Sequence, residues 1–218
     1  MATPRIIFSS NFEGCDELRR APTGILKHPV FALAGMRPVL AQHTRHEHET
    51  IQKWAHGRRT LVEIGVAEGA SALAAREVMH PNGRLFLIDP FHLGRFPLLN
   101  TMKRAAHAAV AKSRNGRVEW IRKFSYEALE SWCEGIDFLV IDGDHSEEGV
   151  ARDWEDWSPF VVPGGVVLFH DARVFPGGWT APDWGPVRLV NRVFRDAVSP
   201  AWRIVDEVHS LVVVHRQL

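Results

Sequence analysis

Two short stretches hold most of the residues that could do chemistry. In FLVIDGDHSEEGV (138–150), four apolar residues run straight into Asp142, Gly143, Asp144 and His145. In VVLFHD (166–171), an apolar run ends the same way, in His170 and Asp171. Open α/β sheets bind ligands beyond the carboxyl ends of their strands, and both stretches read as strands ending in charge. If the two strands are neighbours, Asp142, His170 and Asp171 converge. Two ionised carboxylates held close together repel, and a divalent cation removes the conflict. Oxygen ligands favour Mg²⁺, while Mn²⁺ tolerates an imidazole better. The competing reading of the His170-Asp171 pair is a capped turn at a strand end. His145 is the candidate general base, because an imidazole pKa near ~6.5 suits proton removal at neutral pH. Its competing role is local hydrogen bonding at a helix N-terminus. Asp144 reads as a turn or cap residue, and Glu147 and Glu148 suit the positive end of the next helix.

Residues of this kind need a scaffold, and from residue 60 onward the chain supplies one. Apolar runs at 60–65, 84–90, 117–123, 137–144 and 164–171 read as strands. Helical patterns at 98–112, 125–132, 147–157 and near 186–198 fall between or after them. Strands alternating with helices predict an α/β domain with a mostly parallel, doubly wound sheet covered on both faces. The last two runs, AWRIVDEV and SLVVVHRQ, lie too close together for a helical crossover and predict an antiparallel hairpin at the sheet edge. Residues 44–56 read as a helix whose Thr44 and Glu47 form a capping box, with Gly57 as its stop. Residues 1–42, punctuated by Pro4, Pro22, Pro29 and Pro38, show no long period. Loops and short helices are expected there, packed on the main domain, capping a substrate site or reaching a second subunit. The division expected is an N-terminal extension over 1–57 and a domain over 58–218.

The turn after the first strand, VEIGVAEGASAL (62–73), is bracketed by Gly65 and Gly69, and Asp89 ends the second strand. Glycine allows positive φ and close approach of a ligand, and an acid at that distance can bond both hydroxyls of a ribose. A dinucleotide fingerprint would read G-x-G-x-x-G, but residue 67 is Ala. That counts against the alternative of a nucleotide-dependent oxidoreductase. Pyrophosphate prefers bare N–H groups without acids nearby. The anionic Glu63 and Glu68 instead suit a cofactor with a cationic centre, as in S-adenosylmethionine.

At this point the chain resembles the class I S-adenosylmethionine-dependent methyltransferases over about residues 58–216. Within them it is similar to small-molecule O-methyltransferases related to the macrolide-sugar enzymes. The segments VEIGVAEGASA, LFLIDPF, FLVIDGDHSEEGVARDWEDW and PGGVVLFHDAR carry the likeness. The resemblance implies a Rossmann-like sheet of seven strands with the final strand antiparallel. It implies a donor turn of Glu63, Gly65, Ala67 and Gly69, assisted by Ser71, with Asp89 on the ribose. The segment Lys123–Ser125 would flank the adenine, Ser125 being equally readable as a helix cap, and Asp142 would face both donor and metal. Related enzymes place acids or amides at positions like 142, 170 and 171, and here the middle one is His. His145, Asp142 and His170 are the expected catalytic group. The implied reaction is in-line displacement by an acceptor oxygen on the sulfonium carbon, helped by a base and a metal. A sugar hydroxyl is the expected acceptor, with a catechol-like phenol as the alternative.

Trp179 and Trp184, in RVFPGGWTAPDWGPVR (173–188), either stack on an acceptor or pack internally. DPFHLGRFPLL (89–99) is a second candidate lid, with His92 and Arg95 facing a polar acceptor or solvent. His43, His46 and His48 make a poor zinc site, since 46 and 48 project from different helix faces. With 26 basic and 26 acidic residues the net charge is zero, which argues against a generic nucleic-acid binder. The first residues lack the apolar run of a signal peptide, and no 18-residue apolar stretch suggests a membrane span. Cys15 and Cys133 lie far apart. A cytoplasmic, reducing setting is expected, with a homodimer as the expected assembly.

Overall fold

The period-2 alternation of apolar residues on the strands divides the core into two layers. In the structure, a computed structural model that describes residues 6–8, 24–91, 100–197 and 199–218, β3 (Thr60–Ile64) sends Leu61 to one face of the sheet and Val62 and Ile64 to the other. β6 (Ile136–Ile141) divides Phe138 and Val140 from Leu139 and Ile141 in the same way. The remaining strands are β4 (Arg84–Ile88), β5 (Arg117–Ile121), β7 (Val161–Phe169), β8 (Trp202–Val208) and β9 (Leu211–Arg216). Their order across the sheet is β5-β4-β3-β6-β7-β9-β8. β9 runs antiparallel to both of its neighbours, and the first five strands pair in parallel. The fold is the expected α/β sheet of seven strands with an antiparallel hairpin at its edge. The order reverses between β3 and β6, and at such a switch point the strand ends leave a crevice.

One face is covered by α2 (Arg45–Ala55), α3 (Ala70–Val78) and α4 (Thr101–Val110), through residues such as Ile51, Ala72 and Ala106. The other is covered by α5 (Ser125–Leu129), α6 (Glu147–Trp157) and α7 (Gly185–Val190), through Ala128, Trp157 and Leu189. Here α1 denotes Pro29–Leu33 in the N-terminal segment. That segment also forms a two-stranded parallel sheet, β1 (Ile6–Ile7) with β2 (Val39–Leu40). Phe8, Val39 and Ala41 pack on Ala70 and Ala109, so the segment lies against α3 and α4.

α2 carries the expected capping box, with Thr44 Oγ1 accepting from Glu47 N–H and the Glu47 carboxylate accepting from Thr44 N–H. Three boundaries differ from the sequence reading. The strand expected over 164–171 starts at Val161 and ends at Phe169. Pro163, Gly164 and Gly165 lie within it, where the pairing shifts from Ile136↔Val161 to Phe138↔Val166. Proline cannot donate to the ladder, and the irregularity accommodates it. The helix expected over 125–132 stops at Leu129. The one expected near 186–198 becomes α7 followed by a π turn over Asn191–Arg195. Cys15 and the candidate lid residues His92 and Arg95 lie outside the described residues. Among those described, no helix is long and apolar enough to cross a membrane.

Candidate active site

β6 and β7 are hydrogen-bonded neighbours, so their carboxyl ends open side by side. Asp142 follows the last residue of β6, and His170 and Asp171 follow the last of β7. Ligand atoms of Asp142, His170 and Asp171 all lie within 4.8 Å of one another, the only such group among the described residues. His170 Nδ1 stands 3.1 Å from Asp142 Oδ1 and 3.4 Å from Asp171 Oδ1. From the open side, His145 Nε2 lies 3.4 Å from Asp142 Oδ1 and 3.5 Å from Asp171 Oδ2. The four side chains expected from the sequence are therefore brought together. Asp171 has a φ of +53°, a left-handed conformation uncommon outside glycine. Its Oδ1 accepts a 2.6 Å hydrogen bond from Trp179 Nε1.

The electrostatics follow from burial and mutual charge. Burial alone would lower His170, but the charge of Asp142, its hydrogen bond and the nearby Asp171 push it up to about 10. Burial would raise Asp142, yet His170 and His145 outweigh it and hold the carboxyl well below the usual range. The hydrogen bond to Asp142 raises His145 against the pull of burial. With no cation, the His170 imidazolium and the raised His145 ring face the two carboxylates. The same set offers carboxylate oxygens and one imidazole nitrogen at a single point, a donor set that fits Mg²⁺ or Mn²⁺. His170 Nε2 is buried and bonded to nothing among the described residues.

The turn after β3 sits beside this rim. Gly65 has a φ of +84°, and a Cβ there would collide with the Asp142 carbonyl. Asp142 N–H donates to Ile64 O at 2.9 Å, so the turn and the acidic rim meet backbone to backbone. Ala67, at φ +46°, is held by Asp89, whose Oδ2 accepts from Val66 N–H at 2.9 Å and from Ala67 N–H at 3.3 Å. Gly69, also left-handed, begins α3. Glu63 lies on the α2–α4 side of β3, where the alternation calls for an apolar residue. Only 1% exposed, it accepts a 2.6 Å hydrogen bond from Ser71 Oγ. Burial pushes its carboxyl up to about 8, with Asp142 and Asp89 adding to the shift. Glu63 is thus not the anion that the sequence suggested at neutral pH, and Glu68 departs from the sequence reading too. It does not offer a free charge to a ligand, because Arg37 engages both of its oxygens, at 2.9 and 2.6 Å.

A cavity of about 380 Å³ opens from this turn, with Gly65, Asp89 and Pro90 in its wall. Ile64, Ile88, Phe124, Ser125, Tyr126, Arg152 and Asp153 line it further. Ser125 is not the cap of α5. Phe124 precedes the helix and Glu127 accepts from its N–H at 2.9 Å, while Ser125 Oγ donates to Asp153 Oδ1. A second, more open hollow of about 550 Å³ has His145 in its wall. Asp183, Trp184, Glu148 and Arg188 line it, and the Trp184 indole is 6.0 Å from the His145 ring. The two tryptophans thus part company. Trp179 orients Asp171, and Trp184 borders the hollow.

The N-terminal histidines separate likewise. His43 Nε2 meets His48 Nδ1 at 3.2 Å, and the His46 ring packs edge-on against His209. Burial lowers His43 and His48, the latter to about 4, leaving an uncharged pair. Sequence reasoning missed Arg37, Trp179 as a donor, and Asp153. Only Asp153 left a signal, since the spacing of Val150, Trp154 and Trp157 puts it on the buried stripe of α6.

Among solved structures, an O-methyltransferase from Bacillus cereus in complex with SAH is similar in fold. It has a TM-score of 0.61 and 18% identity, over 89% of this chain and 92% of that one. The O-methyltransferase TomG from Streptomyces achromogenes, involved in tomaymycin synthesis and solved with SAM, gives a TM-score of 0.61 at 16% identity. That match covers 90% of this chain and 91% of the other. An uncharacterized protein of Acanthamoeba polyphaga mimivirus is 31% identical over 150 residues, 63% of this chain. Another, from Sinorhizobium fredii, is 40% identical over 60 residues, 27% of this chain. The matched regions span 60% and 7% of these two relatives' own lengths. A family model described as a methyltransferase domain matches residues 62–172, half of the chain. Those residues run from the glycine turn through the acidic rim, and the chain belongs to this methyltransferase family.

Proposed function

We propose that the chain transfers a methyl group from S-adenosylmethionine to a hydroxyl of a saccharide or glycosylated small molecule, assisted by a divalent cation. One observation carries the reading. The donor atoms of Asp142, His170 and Asp171 gather at the sheet edge from which the nucleoside-sized cavity opens. Gly65, Ala67, Gly69 and Asp89 shape the donor end, with Glu63 and Ser71 behind them. Ser125 lines the same cavity. Asp142, Asp171 and His170 Nδ1 would hold Mg²⁺ or Mn²⁺. Such an ion, when bound, stabilises the alkoxide character of an acceptor oxygen and orients it.

His145 is the group that takes the hydroxyl proton. Its side chain is 44% exposed, on the open side of the rim. The carboxylates that raise its pKa in the free protein are those that would hold the cation, which would leave the ring able to act as a base. The saccharide reading is supported by the hollow beyond His145, where the Trp184 face and the carboxylates of Asp183 and Glu148 suit a polyhydroxylated ring. Held between that hollow and the donor cavity, an acceptor would gain by proximity as well as by deprotonation.

Calorimetry with S-adenosylhomocysteine tests the donor, and absence of binding removes it. Mass spectrometry of methyl glycosides and catechols incubated with S-adenosylmethionine tests the acceptor. Methylation of catechols alone rejects the saccharide. Chelation with EDTA is expected to abolish turnover, and Mg²⁺ or Mn²⁺ to restore it. Full turnover without metal ends the metal assignment. His145→Ala is expected to lower kcat by about 10²–10⁴-fold, and an unchanged kcat means that the base lies elsewhere.

A further inference from the structure

The Glu of a capping box has one duty, to accept a hydrogen bond from the N-cap N–H. Glu47 does more than that. Only one of its oxygens, Oε2, serves the cap, at 2.6 Å from Thr44 N. The other, Oε1, accepts twice from Ser210, from the backbone N–H at 2.8 Å and from Oγ at 2.7 Å. The side chain is 0% exposed. Burying a carboxyl is costly unless its oxygens find donors, and the cap alone does not require that burial. Ser210, also 0% exposed, sits between β8 and β9. Glu47 therefore ties the start of α2 to the turn of the last hairpin.

That turn is what the acidic rim leans on. Ser210 O accepts from Ala172 N–H at 2.8 Å. β9 pairs with β7 in a register that sets Phe169 opposite Val212. Continued unbroken, it would set residue 171 opposite Ser210, but the bond comes from Ala172, one residue further on. Asp171 takes up the difference with its left-handed φ of +53°. An extra residue of this kind is a bulge, which re-aims a side chain beside a site. Here it aims the carboxylate that lies 3.4 Å from His170 Nδ1 and 3.5 Å from His145 Nε2. A second path starts at the same cap. Thr44 Oγ1 is 2.8 Å from His209 Nδ1, and the His209 ring stacks on Phe175. Phe175 in turn meets edge-on the Trp179 indole that donates to Asp171. One path runs through the main chain and the other through rings, and both end at Asp171. Resting on the metal reading above, we propose that Glu47 is a positioning residue for the cation site. It clamps the β8–β9 turn, and through Ser210 and Ala172 it holds Asp171 in the bulged conformation that turns its carboxylate towards Asp142 and His170.

The test is calorimetry on the full chain with Mn²⁺ and, separately, with S-adenosylhomocysteine. Glu47→Ala is expected to weaken Mn²⁺ binding about 10–100-fold and to leave S-adenosylhomocysteine binding unchanged. Glu47→Gln keeps an oxygen for Ser210 but sets its amide N–H against Thr44 N–H. It is expected to melt at a lower temperature while keeping most of the Mn²⁺ affinity. Ser210→Ala removes one of the two bonds to Oε1 and should weaken Mn²⁺ about 5-fold, the worth of one hydrogen bond. It decides the matter if Glu47→Ala does not fold. Ile51→Val, a core change on the same helix, is expected to lower the melting temperature with no effect on Mn²⁺. An unchanged Mn²⁺ affinity in the folded Glu47→Ala or Ser210→Ala variant overturns the proposal. So does a Glu47→Gln variant that binds Mn²⁺ no better than Glu47→Ala. A Mn²⁺ loss in Ile51→Val as large as in Ser210→Ala, or an equal loss for both ligands, marks general loosening and overturns it too. In all of these cases wild type still binds Mn²⁺ and the metal reading stands. A wild type that binds no Mn²⁺ removes the metal reading and this proposal together.

Discussion

Asp171 owes its position to its neighbours as much as to its strand. A non-glycine residue at φ +53° costs about 1–2 kcal/mol of backbone energy. The Trp179 hydrogen bond, with that indole packed edge-on against Phe175, helps hold it there. Trp179→Phe keeps the ring packing and removes the donor. We expect Mn²⁺ affinity, measured by calorimetry, to fall about 10–100-fold; no change would leave the indole as packing alone. Glu63 gives a pH signature. Its folded carboxyl holds a proton up to about 8, against an ordinary value of 4.5. Its contribution to stability is therefore full below the unfolded value and is lost as pH rises towards the folded one. A sulfonium favours the carboxylate, so the affinity for S-adenosylmethionine relative to S-adenosylhomocysteine should climb with pH and level off above about 8. A ratio flat across that range, read by calorimetry, means that Glu63 does not sense the donor's charge. Asp142, His170 and Asp171 were legible in the sequence because an apolar run ending in charge is informative by itself. The bond from Trp179 was not, because the direction of an indole N–H is set by packing that spacing does not encode. Glu68 was misread for a related reason, its partner standing 31 residues earlier.

Among the elements, those with a strong local signature were the readable ones. α2 announces itself through Thr44 and Glu47, and both hydrogen bonds of the capping box form. The N-terminal segment has no period, and what fixes it is tertiary. The side chains of Arg37 and Glu68 are only 2% and 9% exposed. Removing one member of a buried ion pair strands the other, which costs about 3–5 kcal/mol. Arg37→Ala should lose that much in urea denaturation, whereas Arg37→Met combined with Glu68→Leu should recover most of it, since apolar pairs often replace buried ions without loss. Equal losses in the single and double variants would mean that shape, not charge, holds the segment against the donor turn. The start of β7 was set three residues late because Pro-Gly-Gly usually lies outside a strand, and here an irregular register absorbs it.

For the molecule as a whole, the alternation of strand and helix was enough to specify the sheet, and the hairpin followed from a connection too short for a crossover. The order β5-β4-β3-β6-β7-β9-β8 then puts the donor turn and the acidic rim on adjacent strands at one edge. Ligand binding there should stabilise the entire fold. At 100 times its Kd, S-adenosylhomocysteine adds about 2.7 kcal/mol. A chain of this size should then melt about 5–10 °C higher, and a melting curve that does not move would show that the ligand is not taken up by the folded state.

The approach of Gly65 to the Asp142 carbonyl leaves no room for even a methyl group between the two sites. Their spacing is thus written into the main chain, with no side chain left to tune it. On the reading proposed above, divergence towards new acceptors would proceed by reshaping the outer hollow around Trp184, since the turn and the rim are already in backbone contact.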